Sequence, residues 1–305
     1  MKITPERLER IITAAAPVFF KAAKLPTPAM GLLGGRLLGA AACRLLGRHR
    51  KIAMANLKFA FQGEKDMAEI RRLAYRNFQQ WGMIAFEWVR CYYLDRPAPG
   101  DLPFRVEVRG LEHLKAAKKK NQAVMLLSAH FGNWEYGHLY YASRINTLNF
   151  IVRRIDSPFL EERRVAYNQR HGVNILYKEK GLKAAIRNLQ KGQDLVIFAD
   201  QKANPREGIQ SRFFGRPTTS IPLVAAFATK FHLPIVPMFV VRKDDSPAHV
   251  LTFLPELTFG PQDGVAAITQ RQNDIIEKMI RRHPDHWLWM HRRWKTEHPE
   301  IYQSD

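Results

Sequence analysis

Cysteine is nearly absent from this chain: Cys43 and Cys91 are the only two in 305 residues. Two thiols make neither a disulfide framework nor a thiolate metal site, and such usage fits a reducing compartment. Both are expected to be buried apolar fillers. Acidic residues are also scarce, 28 Asp and Glu against 48 Lys and Arg, for a formal charge of +20. The excess points to an anionic partner. Phosphate-bearing lipid, nucleic acid and a small acidic protein each gain Coulomb attraction to a basic surface and release counterions on binding. Long apolar runs are missing too. None reaches the roughly 18 uncharged residues that cross a bilayer: Ile11 to Phe20 stops at Lys21, and Leu25 to Gly35 holds two prolines before Arg36. A spanning helix is not expected. Nor is a cleaved signal peptide, since Met1 to Arg10 mixes acids with bases and Lys21 and Lys24 interrupt the apolar stretch. G-x-S-x-G, internal repeats and a second set of metal-spaced His or Cys are likewise missing.

Leu, Phe and Ala alternate with Lys and Arg near the N-terminus, a pattern that suits a segment lying on a membrane surface. Gly31, Gly35, Gly39, Cys43 and Gly47 recur every four residues, so one helix stripe carries almost no side chains and lets another backbone approach closely. Attachment to the membrane and packing on the main domain both fit that stripe. Residues 5–93 read as helical, with breaks at Pro26 to Pro28 and near Gln62 to Lys65. Pro97 to Pro103 reads as a linker. It divides a helical membrane-associating region, residues 1–95, from a second domain, residues 104–295.

There the texture changes. "FRVEV" alternates like an edge strand, and "AVMLLS", "NFIVR", "VNILY", "DLVIFA" and "PIVPMFVV" are short apolar or β-branched runs. Between them lie helical stretches at Glu135 to Arg144, Pro158 to Arg170, Leu182 to Lys191 and Pro222 to Phe231. Such alternation predicts an α/β fold, a mainly parallel twisted sheet flanked by helices. Lys202 to Ser220 is a long stretch without obvious structure, expected to be functional or mobile.

In an open α/β sheet, ligands gather beyond the carboxyl ends of the strands. His130 stands there, directly after the run Ala123 to Leu127, in "SAHFGNWE". Residues five apart on one helix lie about 140° apart around the axis, so His130 and Glu135 need a bend between them to meet. Gly132 and Asn133 supply it, and Asn133 also suits a helix cap. A strand, turn and helix start then let the Glu135 carboxylate reach one nitrogen of His130, which makes a general base. A satisfied histidine at a strand end, with a solvated glutamate, is the plainer reading. Ser128 is a poor nucleophile.

Arg153 and Arg154 end one strand, and their guanidinium groups suit phosphate, although alternation lets only one face the crevice. Asp200 and Gln201 end another. Asp200 is read as orienting Arg153, Arg154 or Lys202, as accepting sugar hydroxyls, or as a simple cap. Gly208, Phe213, Phe214 and Gly215 read either as a flap with an apolar tip or as a core anchor. Thr218 to Ser220 reads as a helix cap. "WLWMHRRWK", from Trp287, fits an interfacial patch, a stacking surface for single-stranded nucleic acid, or core packing.

"HFGNWE" resembles the H-x4-D/E block of the glycerolipid and lipid A acyltransferases, and more narrowly of the lipid A biosynthesis acyltransferases. Other blocks follow in that family's order: "RKIAMANLKFAF" from Arg50, "VRRIDSPFLEERR" from Val152, "KGLKAAIRNLQKGQDLVIFADQ" from Lys180, "GIQSRFFGRPTTS" from Gly208 and "HWLWMHRRWK" from His286. The similarity spans roughly residues 30 to 295 and departs at Asp156-Ser157-Pro158, where Asn-Asn-Pro is more usual. It implies that His130 takes a proton from an acceptor hydroxyl attacking an acyl thioester, with Glu135 orienting it and no acyl-enzyme. Donors around Gly132, Asn133 and Trp134 would hold the oxyanion. Arg153 and Arg154 would hold a phosphate, and Asp200 and Gln201 would line the substrate site. No metal, cofactor or nucleic acid is implied. The implied partners are an acyl carrier protein thioester, a phosphorylated glycolipid acceptor and the cytoplasmic face of a bacterial inner membrane, met peripherally or monotopically. A lysophospholipid or phosphatidylinositol mannoside is the alternative acceptor. The alternative of another class is a basic polyanion-binding protein without catalysis.

Overall fold

The computed structural model of the chain describes residues 27–91, 102, 104–244 and 246–303. The expectations for residues 5–26, and for all but Leu102 of the linker, lie outside them. Among the described residues three helices come first: α1 (Pro28–Leu45), α2 (Gly47–Ala60) and α3 (Met67–Val89). Thr27 caps α1, with Pro28 in its first turn, and Asp66 and Glu69 form a capping box on α3. The glycine stripe of α1 packs on α3. A Cβ at Gly39 would stand 2.2 Å from the Phe78 carbonyl oxygen, and one at Gly82 only 2.1 Å from that of Gly35. Backbones this close exclude any side chain. Away from that seam α1 exposes Met30, Leu33, Leu37, Leu38 and Leu45.

The α/β part alternates β1 (Arg105–Arg109), α4 (Leu111–Lys120), β2 (Met125–Ser128), α5 (Trp134–Arg144), β3 (Leu148–Val152), α6 (Pro158–Arg170), β4 (Val173–Tyr177), α7 (Lys178–Gln190) and β5 (Asp194–Phe198). After these come β6 (Ile209–Phe213), β7 (Arg216–Ser220), α8 (Leu223–Phe231), β8 (Ile235–Arg242), β9 (Ala248–Phe253) and α9 (Val265–Arg282). Seven strands form one sheet in the order β1-β9-β8-β2-β5-β3-β4. The run from β8 to β4 is parallel; β9 lies antiparallel to β8, and β1 pairs parallel with β9 at the edge. Helices cover both faces. Along central β2, Met125 and Leu127 join one apolar core while Leu126 joins the other, as strand alternation requires.

Two expectations are corrected, and the choice left open for the tryptophan block falls to core packing. Residues 209–220 form an antiparallel hairpin, turned at Phe214 and Gly215, both at positive φ. Phe213 and Phe214 are buried against Trp287 and Trp289, so the tip is core and no flap. Thr218 to Ser220 belong to β7, and α8 starts at Leu223, with Pro222 at the N-cap and no side-chain cap bond. Trp287, Trp289 and Trp294 are fully buried and therefore present no interfacial or stacking surface.

Candidate active site

Register builds the site. Ser128 of β2 pairs with Phe198 of the parallel neighbour β5, so the residues two steps beyond each strand, His130 and Asp200, emerge side by side at the carboxyl edge. His130 Nδ1 lies 3.0 Å from Asp200 Oδ1. The other carboxylate oxygen, Oδ2, accepts from the indole N–H of Trp287 at 2.8 Å. Burial by itself would raise the Asp200 carboxyl, but the adjoining imidazole and the indole donor outweigh it and hold the group below its ordinary value. An ionised carboxylate only accepts, so Nδ1 carries the proton and Nε2 presents its lone pair. The Gln201 carboxamide nitrogen stands 3.4 Å from that Nε2. His130 keeps a quarter of its side chain exposed, whereas Asp200 is sealed.

The turn after β2 is fixed from behind. Gly132 takes φ +56°, and a Cβ there would come within 1.9 Å of the Val240 carbonyl oxygen. Its N–H donates to the His286 carbonyl at 2.9 Å, and Leu288 N–H donates to the His130 carbonyl at 3.1 Å. The 286–288 segment thus pairs with the turn and carries Trp287 to Asp200. Asn133 caps α5 and donates to buried Glu87 at 2.9 Å, where Arg242 also binds. Aromatic rings wall the base: Phe198 and Trp134 lie 4.7 and 5.3 Å from the imidazole, and Trp88 abuts Trp134. Below, buried His138 lies between Phe150 and Phe198, and burial pushes its pKa down to about 3, with His130 adding to the fall. It stays neutral.

Of the residues singled out by sequence, His130, Asp200 and Gln201 come together. Glu135 does not join His130: both ring nitrogens face other partners, and Glu135 is buried in the first turn of α5. The pinned turn aims the imidazole at β5, which is why the carboxylate beside it comes from the neighbouring strand. Gly132 and Asn133 direct their amide and side chain, respectively, into the protein rather than toward a substrate. Arg153 and Arg154 are exposed at the end of β3, with Arg154 stacked 4.0 Å from the Tyr177 ring, and Asp200 orients neither. Their loop is tied down where Glu161 accepts from Ile155 N–H, Arg164 and Tyr177. Ser157 caps α6 with Pro158 behind it, so the turn survives the departure from Asn-Asn-Pro. Sequence reasoning missed Trp287 as a partner of Asp200; its only signal was a tryptophan in a block already singled out.

Comparisons with known proteins give the family. The family model for bacterial lipid A biosynthesis acyltransferases matches residues 7–296. A lipid A biosynthesis lauroyltransferase of Escherichia coli is 27% identical over 284 residues, which cover 92% of this chain and 89% of that one. A lipid A biosynthesis palmitoleoyltransferase of the same organism is 28% identical over 278 residues, 90% and 87%. A phosphatidylinositol mannoside acyltransferase of Mycobacterium tuberculosis is 24% identical over 190 residues, 61% and 59%. With a carboxylate-held imidazole at the sheet edge and a family model running almost end to end, the chain belongs to the bacterial lipid A biosynthesis acyltransferases.

Proposed function

We propose that the protein moves a fatty acyl chain from an acyl carrier protein thioester to a hydroxyl of a phosphorylated lipid A precursor. The observation that carries this reading is the His130–Asp200 contact, which leaves Nε2 basic beside an aromatic wall suited to a hydrocarbon tail. The acceptor hydroxyl gives its proton to Nε2 as its oxygen bonds to the thioester carbon. Asp200 stays ionised and stabilises the imidazolium. The C–S bond then breaks, and the departing sulfur takes the proton back from Nε2. Candidate oxyanion donors are the Asn133 and Trp134 amides, which take no backbone partner among the described residues, and the Gln201 carboxamide. Ser128 takes no covalent part, because it is buried and donates to the Met238 carbonyl at 2.9 Å. Glu135, buried in the first turn of α5, contributes a second carboxylate on the element that follows the base. Arg153 and Arg154, exposed on the same edge, serve the phosphate of donor or acceptor.

The reading extends to the membrane. Met30, Leu33, Leu37, Leu38, Leu45 and Leu46 are exposed close to Arg44, Arg48 and Arg50, a pairing of apolar surface and positive charge that suits anionic lipid. No single described helix is long and apolar enough to cross a bilayer; α1 and α2 qualify only as a pair bent by 91°. We therefore read attachment to the cytoplasmic face of the inner membrane, with the +20 charge drawing in the acidic carrier protein.

The test is turnover of acyl carrier protein thioester with a lipid A precursor, followed by mass spectrometry of the lipid. One added acyl chain is expected, and His130→Ala should lose about 10³- to 10⁴-fold in rate while remaining folded. A wild-type protein that never acylates a lipid A precursor, yet acylates a lysophospholipid or phosphatidylinositol mannoside, overturns the acceptor. Normal turnover by His130→Ala overturns the mechanism.

A further inference from the structure

Behind the catalytic turn lies a cleft of about 370 Å³, between α3, the end of β8 and the segment that follows α9. Its size falls within the roughly 300–1,000 Å³ of small-molecule sites. Two guanidinium groups line it with donors to spare. Arg282 is exposed and makes no hydrogen bond or ion pair among the described residues. Arg76 is 60% exposed, and its one acidic contact is the Asp285 carboxylate, 3.6 Å from its Nε and so beyond hydrogen-bonding distance. Asp285 itself is held by His286 at 2.8 Å. Gln80 adds a third donor, since its carboxamide oxygen is taken by Arg242 Nε at 3.3 Å and its NH₂ remains. Across the cleft stands Asp244, an exposed carboxylate without an ion pair among the described residues.

Planar guanidinium groups and an amide N–H favour phosphate oxygens, while a lone carboxylate favours a hydroxyl or ammonium. From this arrangement we infer a second binding site, for a phosphate ester bearing a nearby hydroxyl or ammonium group. Two ligands have that chemistry: the phosphorylated sugar of a glycolipid and the headgroup of a bilayer phospholipid. Both are within reach of a membrane-attached chain, because α3 lines the cleft and also packs on α1 with its exposed leucines. The cleft touches the catalytic turn through His286, whose carbonyl accepts from Gly132, so an occupant would lie one segment away from His130. The inference does not depend on acyl transfer, since binding is read without turnover.

The experiment is calorimetric titration of the purified full chain, at low salt, with glucosamine 1-phosphate, glycerophosphoethanolamine, inorganic phosphate and unphosphorylated glucosamine. The wild type is expected to bind at least one phosphate ester and to ignore glucosamine. The double variant Arg76→Gln, Arg282→Gln, both exposed positions, should bind about tenfold or more weakly, with an unchanged melting temperature. Asp244→Asn should weaken the two esters several-fold and leave inorganic phosphate unaffected. Tighter binding of glucosamine 1-phosphate identifies the glycolipid as the source, and tighter binding of glycerophosphoethanolamine identifies the bilayer lipid. Failure of both esters to bind the wild type, or equal affinity in the double variant, overturns the site. The titration contains no thioester and follows binding alone, which keeps this result apart from any failure of the acyltransferase reading.

Discussion

The two ends of β5 each carry a buried aspartate, and the two are used in opposite ways. Asp194 opens the strand and accepts from Lys118, Tyr141, Asn146 and the Val124 amide, all at 2.7–2.9 Å. Asp200 follows the strand and accepts from His130 and Trp287. The donors around Asp194 lead only to further scaffold, since Lys118 also donates to the Gln122 carbonyl and Asn146 to that of Gly192. The donor on Asp200 is a partly exposed imidazole whose second nitrogen faces the Gln201 carboxamide. A buried carboxylate ringed by donors is scaffold, whereas one that fixes the tautomer of an accessible histidine serves, on the proposed mechanism, the chemistry.

Asp200→Asn should sharpen that contrast most. The amide can present its NH₂ to Nδ1, which would move the ring proton to Nε2 and remove the base; a loss of about 10³-fold or more in kcat is expected, with KM for the thioester little changed. Steady-state rates at saturating donor measure it. A variant within a factor of a few of wild type would remove Asp200 from the mechanism.

Glu135→Gln tests the neighbouring carboxylate. Since Glu135 does not touch the imidazole, a loss of about ten- to a hundredfold is expected, less than that of Asp200→Asn in the same assay. An equal or larger loss would mean that substrate binding rearranges the turn and brings the five-residue spacing into direct contact.

Trp287→Phe keeps the buried ring and removes one donor from Asp200 Oδ2. About a tenfold fall in kcat is expected, from a carboxylate less firmly held. Asp200 should also protonate more readily, because a lost donor raises a carboxylate pKa, so its carboxyl signal in carbon NMR titrates at higher pH than in the wild type. A change in KM alone, with that titration unmoved, would assign Trp287 to packing.

Much of this site was legible in the sequence. The apolar runs end at His130 and at Asp200, so their common edge followed from strand reading alone. Their pairing did not, because it depends on β2 lying beside β5, a neighbour relation fixed by tertiary packing. Glu135 was favoured because nearness in the chain is visible and strand order is not. The Phe214-Gly215 turn lacks the usual Asn-Gly or Asp-Gly signal, and Phe214 is held at positive φ by burial against Phe61 and Trp289. That hid the hairpin. Helix α9 and strand β9 went unread, although Ile268, Ile276, Met279 and Ile280 recur on one buried face of α9; nothing in the sequence signals that β9 runs antiparallel to β8.

Asp194→Asn is the complementary substitution at the amino end, where the smallest effect on chemistry is expected. The amide keeps one acceptor oxygen for the four donors and sets an NH₂ against groups of which only the Tyr141 hydroxyl oxygen can accept it. Lys118 loses its ion pair, which is partly buried on the lysine side and fully buried on the aspartate side. Leaving such donors short costs about 3 kcal/mol, read as a lowered midpoint in urea with an unchanged slope. The His130–Asp200 pair lies beyond the other end of the strand and shares no hydrogen-bond partner with Asp194, so kcat per folded molecule should match wild type within a factor of two. A fall in kcat at full folding would show that the two ends of β5 act as one unit, and the division between scaffold and chemistry would fail.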